Sequence, residues 1–153
     1  MREVHRSALV THSPAQMYAL VNDVARYPEF VPWCKASHIL ATTETSVTAT
    51  LEIARAGVTL ALTTRNDLVR DERIDMTLVK GPLVSFAGRW RFVAIRAPGE
   101  EASGMVHGCR VELWVEYQFE HAAVGLVLGP LFEASWDSLV DAFVRRAREV
   151  YRG

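Results

Sequence analysis

Five histidines, two cysteines and eighteen carboxylates could supply acid–base, nucleophilic or metal chemistry, and their spacing excludes most of it. His5, His12, His38, His107 and His121 are scattered, with neither the alternating pair nor the one-turn helical pair that holds zinc, so no metal is expected. A nucleophile elbow and a phosphate-binding GxxxxGK[ST] loop are both missing. Cys34 follows Trp33 where a strand should begin, the setting of a small buried thiol and not of a reactive one. Asp23 reads as a second helix N-cap and Glu29 as a solvated turn residue, not as a general acid/base pair. No catalytic residue is assigned, and no enzymatic activity is expected.

Arginine outnumbers lysine fifteen to two, and Arg145, Arg146, Arg148 and Arg152 crowd the C-terminal end. There they complement a helix dipole as a solvated helix end, or they contact RNA or anionic headgroups. Arg89 and Arg91 extend such a patch if they lie on the outward face of their strand.

The elements that must position these groups follow from periodicity. Glu3–Val10 alternates weakly, and Ser13-Pro14-Ala15-Gln16 is a helix start, with Ser13 as N-cap, Pro14 at the first helical position and Gln16 closing a capping box. Met17, Leu20, Val21 and Val24 give that short helix one apolar face. Two prolines in Tyr27-Pro28-Glu29-Phe30-Val31-Pro32-Trp33-Cys34 restrict the next segment to a helical turn. Period 2 then takes over, in rows that begin at Val47, Val58, Ile74, Gly88 and Val111, which predicts an antiparallel meander with one buried face. Phe132, Trp136, Leu139, Phe143, Ala147 and Val150 recur at helical spacing, predicting a long amphipathic helix from near Pro130 to about Tyr151.

The expected fold is therefore α+β, in the order β-α-α-β-β-β-β-β-β-α: a curved antiparallel sheet wrapped around a long C-terminal helix, in one domain over residues 1–153. Such a wrap either leaves an apolar cavity or is filled by its own side chains, and periodicity leaves both open. The inward polar exceptions Thr64, Asn66 and Tyr117 either orient a ligand or bond to each other and to backbone. Gly81-Pro82-Leu83 is a tight turn or a gate, and most of Leu126, Val127, Leu128 and Leu131 are expected to pack under the sheet.

Composition agrees with a folded chain: 50% hydrophobic and 23% charged residues exclude disorder, and a net charge of −1 argues against a generic polyanion binder. Two cysteines argue against a disulfide framework, and no signal peptide is recognised, so a cytoplasmic monomer with free thiols is expected.

Tyr27 to Cys34, Ala56-Gly57 with Thr63-Thr64-Arg65-Asn66, Leu78-Val79-Lys80-Gly81-Pro82, Gly88-Arg89-Trp90-Arg91-Phe92 and the helix end through Tyr151 resemble the RatA-like, coenzyme-Q-binding branch of the START superfamily, distantly related to polyketide cyclases. Two departures are an Arg96–Gly108 loop longer than is usual there, and Leu83 where phenylalanine is common. The resemblance implies a helix-grip fold with an apolar tunnel holding an isoprenoid ligand, ubiquinone first, as the only small molecule bound. It implies alternatively a toxin that binds the large ribosomal subunit and blocks its joining to the small one, and thirdly a cyclase. On the first reading Leu51, Leu60, Leu62, Thr64, Met76, Leu78, Trp90 and Phe92 line the pocket from one part of the sheet. Leu113, Val115 and Tyr117 line it from another, and Trp136, Leu139 and Phe143 from the helix, while Phe30, Trp33 and Leu83 form the entrance. Arg145, Arg146 and Arg148 meet rRNA or headgroups, with the protein transiently at the inner face of the membrane in the latter case.

Overall fold

The structure is a computed structural model that describes residues 1–55, 57–99, 104 and 106–151. Ala56 of the Ala56-Gly57 motif, Arg152, and residues 100–103 and 105 of the long loop lie outside the described residues.

The chain begins with β1 (Arg2–Val10), α1 (Pro14–Asn22) and a 3₁₀ helix (Val24–Glu29). Six strands follow: β2 (Cys34–Thr42), β3 (Ser46–Arg55), β4 (Val58–Val69), β5 (Arg73–Lys80), β6 (Leu83–Ile95) and β7 (Gly108–Phe119). The chain closes with α2 (Ala122–Val150). All seven strands form one antiparallel sheet in the order β1-β7-β6-β5-β4-β3-β2, so β1 caps the meander by pairing with its last strand. Register shifts in β2, between Thr63 and Thr64, and after Leu83 are the points where the ladder can bend around the helix.

The expected local signals are present. The Ser13 hydroxyl accepts from the Gln16 N–H at 3.1 Å while the Gln16 side chain accepts from the Ser13 N–H at 2.9 Å. Asp23 departs from expectation: it occupies the N-cap position of the 3₁₀ helix, but its carboxylate pairs with Arg26 at 3.1 Å and caps nothing.

α2 starts a full two turns earlier than Pro130 suggests. A proline inside a helix removes one N–H, here the donor for the Leu126 carbonyl. Leu126 is 82% exposed, so water can take the missing donor's place and the helix runs on. On the other side, Arg2 and Arg6 on β1 form ion pairs with Glu133 and Asp137, one turn apart on α2.

Gly108 opens β7 under the end of β1, where a Cβ would overlap the carbonyl oxygen of Val10. Backbone cannot yield there as a side chain would. Gly108→Ala is therefore expected to cost about 2–3 kcal/mol, at the upper end of overpacking. Thermal unfolding checks it; an unchanged midpoint would show that the two strands part freely.

Candidate functional site

Between α2 and the sheet lies a cavity of ≈ 20 Å³. That is room for about one water molecule. Of the residues expected to form a pocket, Leu51, Leu62, Thr64, Met76 and Trp90 line it from the sheet, and Trp136 and Leu139 from the helix. Leu60, Phe92, Leu113, Val115, Tyr117 and Phe143 are buried in the core around it, and Leu78 is half-buried against that core. Leu83, expected at an entrance, is 3% exposed and sits in the core as well. Phe30 and Trp33 belong to two different surface grooves, one shared with Arg146 and the other with Arg145.

Aromatic rings account for the small cavity. Phe132 stands edge-on to Tyr117 at 4.6 Å and also touches Phe86, Phe119 and Trp136. Phe143 meets Trp90 at 5.4 Å and both Tyr27 and Phe30 at 5.3 Å. Phe86 did not figure among the expected pocket residues, although it lies in phase with Gly88, Trp90 and Phe92 and that phase could have found it. Tyr27, Val24, Ala49 and Asn66 also line the cavity.

Thr64, Asn66 and Tyr27 at the cavity bond within the protein, whereas the Trp136 indole N–H there has no acceptor among the described residues. The Thr64 hydroxyl donates to the Asn66 side-chain oxygen at 2.9 Å, and the Tyr27 hydroxyl donates to the Val21 carbonyl. Burial pushes the Tyr27 phenol well above its usual range. Among the described residues the cavity wall holds no carboxylate or imidazole to move a proton. Among the described residues no cluster of histidine, cysteine and carboxylate side chains could hold a metal.

Both thiols are buried and free, and burial pushes each up to about 11. At pH 8 only about one thiolate in a thousand is then present at each site. A thiol reagent is expected to label neither Cys34 nor Cys109 until denaturant is added; fast labelling of the native protein would contradict this. The unfolded chain loses its thiol protons first, so stability is intact below about pH 8.5 and falls as pH rises toward the folded values.

The outer surface separates the three arginines of the last helix. Arg146 is held by Glu29 at 3.0 Å and lies over the Phe30 ring, 5.0 Å from its centre. Its charge is spent inside the protein. Glu29, expected to be merely solvated, is its partner. Arg145 and Arg148 are exposed, and among the described residues neither has a carboxylate partner. At the other end of α2, Leu126 and Val127 are 82% and 66% exposed, whereas Leu131 is buried and Leu128 half-buried. The expected packing of most of this segment therefore fails for its two most exposed members. They fall on the outer side of the helix's first turns.

This arrangement, a sheet gripping one long helix, coincides with a family model. Residues 10–144 match the model described as polyketide cyclase / dehydrase and lipid transport. The chain belongs to that family. Within it, the chain is 41% identical to the "Ribosome association toxin RatA" of Vibrio cholerae, over 99% of each chain. It is 26% identical to the "Coenzyme Q-binding protein COQ10 homolog B, mitochondrial" of Xenopus laevis, over 97% of this chain and 59% of that one. Among solved structures, the Zhui aromatase/cyclase from Streptomyces sp. R1128 superposes with a TM-score of 0.83 at 17% identity, over 99% of this chain and 96% of that one. At that identity the likeness concerns the helix-grip fold alone.

Proposed function

We propose that this protein acts without turnover as a ribosome-association factor of the cytoplasm, binding the large subunit and preventing it from joining the small one. The observation that carries the reading is the full-length likeness to a chain named for ribosome association, at 41% identity. Two features of the molecule support it. The interior is occupied by its own aromatic side chains, and Arg145 and Arg148 present unneutralised charge on the last helix. Phosphates are the natural counterpart of such arginines, so binding should weaken steeply with salt. The test adds the pure protein to separated ribosomal subunits and follows their joining on a sucrose gradient. Joined particles should fall in proportion to the protein added; undiminished joining overturns the reading.

A second reading, carriage of ubiquinone or a related isoprenoid, is favoured by the likeness to the coenzyme-Q-binding chain and by the Thr64–Asn66 pair, which could meet a carbonyl. Its difficulty is room: a cavity of ≈ 20 Å³ holds no isoprenoid tail unless α2 moves away from the sheet. Organic extraction of protein purified from a quinone-making host separates the readings. Far less than one quinone per chain is expected; a stoichiometric yield would reinstate the carrier. A cyclase is the weakest reading, because among the described residues the cavity wall carries no carboxylate or imidazole.

A further inference from the structure

A surface groove of ≈ 260 Å³ runs between the residues just before β2, the end of β3 and the C-terminal half of α2, lined by Pro32, Trp33, Ala54, Arg55, Ser138 and Arg145. We infer that this groove seats a phosphate of an RNA backbone between Arg55 and Arg145. The inference deepens the ribosome reading and rests on it for the identity of the RNA.

The groove is built, not incidental. The Ala54 N–H donates to the Trp33 carbonyl at 2.9 Å, and Cys34 pairs in register with Ile53, which locks the floor to the sheet. Arg55 ends β3 and Arg145 lies on α2, so two arginines far apart in sequence line one groove together with Pro32, Trp33 and Ala54.

Charge supplies the second argument. Among the described residues no carboxylate lines the groove, and neither Arg55 nor Arg145 has an ion-pair partner. The neighbouring Arg146 is neutralised by Glu29, and Arg65, Arg73, Arg89 and Arg110 on the sheet each hold a carboxylate within 3.1 Å. Two like charges on one groove repel until an anion sits between them, and the planar guanidinium fork matches phosphate oxygens. The apolar floor of Pro32, Trp33 and Ala54 lowers the local dielectric and strengthens that attraction. The Ser138 hydroxyl donates to the Ser135 carbonyl at 3.2 Å, which leaves anion recognition to the arginines. Trp33 supplies a reporter: its buried indole N–H has no acceptor among the described residues.

The test titrates the full-length protein with a short single-stranded RNA of mixed sequence and follows the Trp33 indole N–H by NMR, assigned with Trp33→Phe. The resonance should move, and Arg55→Glu should weaken binding at least about tenfold and reduce the log–log salt slope by about 0.7. Arg70→Glu, at an exposed arginine just after β4, should leave both unchanged. A silent Trp33 resonance, or wild-type affinity in Arg55→Glu, overturns the groove. Inorganic phosphate that saturates the site as tightly as RNA would assign it to a free anion and overturn the RNA source. The outcomes separate from those of the ribosome reading. If Arg55→Glu associates with large subunits normally while Arg145→Glu does not, the groove is wrong and the ribosome reading stands. If RNA binding depends on Arg55 but wild-type protein ignores ribosomes, the groove stands and the ribosome reading falls.

Discussion

Reversing the charge at Arg145 and Arg148 together should remove the protein from large ribosomal subunits, with a loss of affinity of at least about a hundredfold. Each reversal replaces an attraction to phosphate by a repulsion. Both side chains are exposed and unpaired among the described residues, so the double variant should lose only the helix-dipole contribution, about 1 kcal/mol. Arg146→Glu is the informative contrast. It breaks the pair with Glu29 and places a carboxylate over the Phe30 ring, so it should lower stability by about 1–2 kcal/mol, with any effect on binding following from that loss. Gradient sedimentation with purified large subunits, alongside urea unfolding of each variant, reads both quantities. Retained sedimentation of the Arg145→Glu, Arg148→Glu protein would show that the ribosome contact lies elsewhere.

Phe143→Ala should be the most damaging single change to the fold. The ring is fully buried and stands edge-on to Tyr27, Phe30 and Trp90, so it joins the helical segment after α1, the long helix and the middle of the sheet. Deleting it removes the burial of a whole aromatic side chain and leaves a hole that three rigid rings cannot close, at a cost of about 3–5 kcal/mol. Urea unfolding followed by circular dichroism measures it. A loss below about 1 kcal/mol would mean that the core collapses readily around α2, and would restore the prospect of an interior that opens for a ligand.

The fold was largely legible because its signals are local. The capping box at Ser13 and Gln16, the inward rows of Val47, Leu60, Ile74 and Trp90, and the stripe from Phe132 to Ala147 each need only a few neighbouring residues to be read. The start of α2 was not, because Gly129-Pro130 is locally a stop signal whose cost is small where the freed carbonyl faces water.

The site was less legible, for reasons of distance and shape. Periodicity tells which side of a strand faces inward but not whether Phe86, Phe132 and Phe143 interlock tightly enough to close the space between them. Three arginines in one stretch look equivalent until Glu29, brought by a different element, neutralises Arg146 and leaves Arg145 and Arg148 free to act. The convergence of Arg55 with Arg145 is likewise visible only after the sheet has wrapped around the helix.

The most direct test of the central claim, that the protein works through its arginine-bearing surface and not through a ligand inside it, is sedimentation of the wild-type protein with purified large and small ribosomal subunits over a series of salt concentrations. Association with the large subunit alone, declining steeply as salt rises, is the predicted result. Failure to sediment with either subunit at low salt, from protein that yields one quinone per chain on extraction, would contradict it.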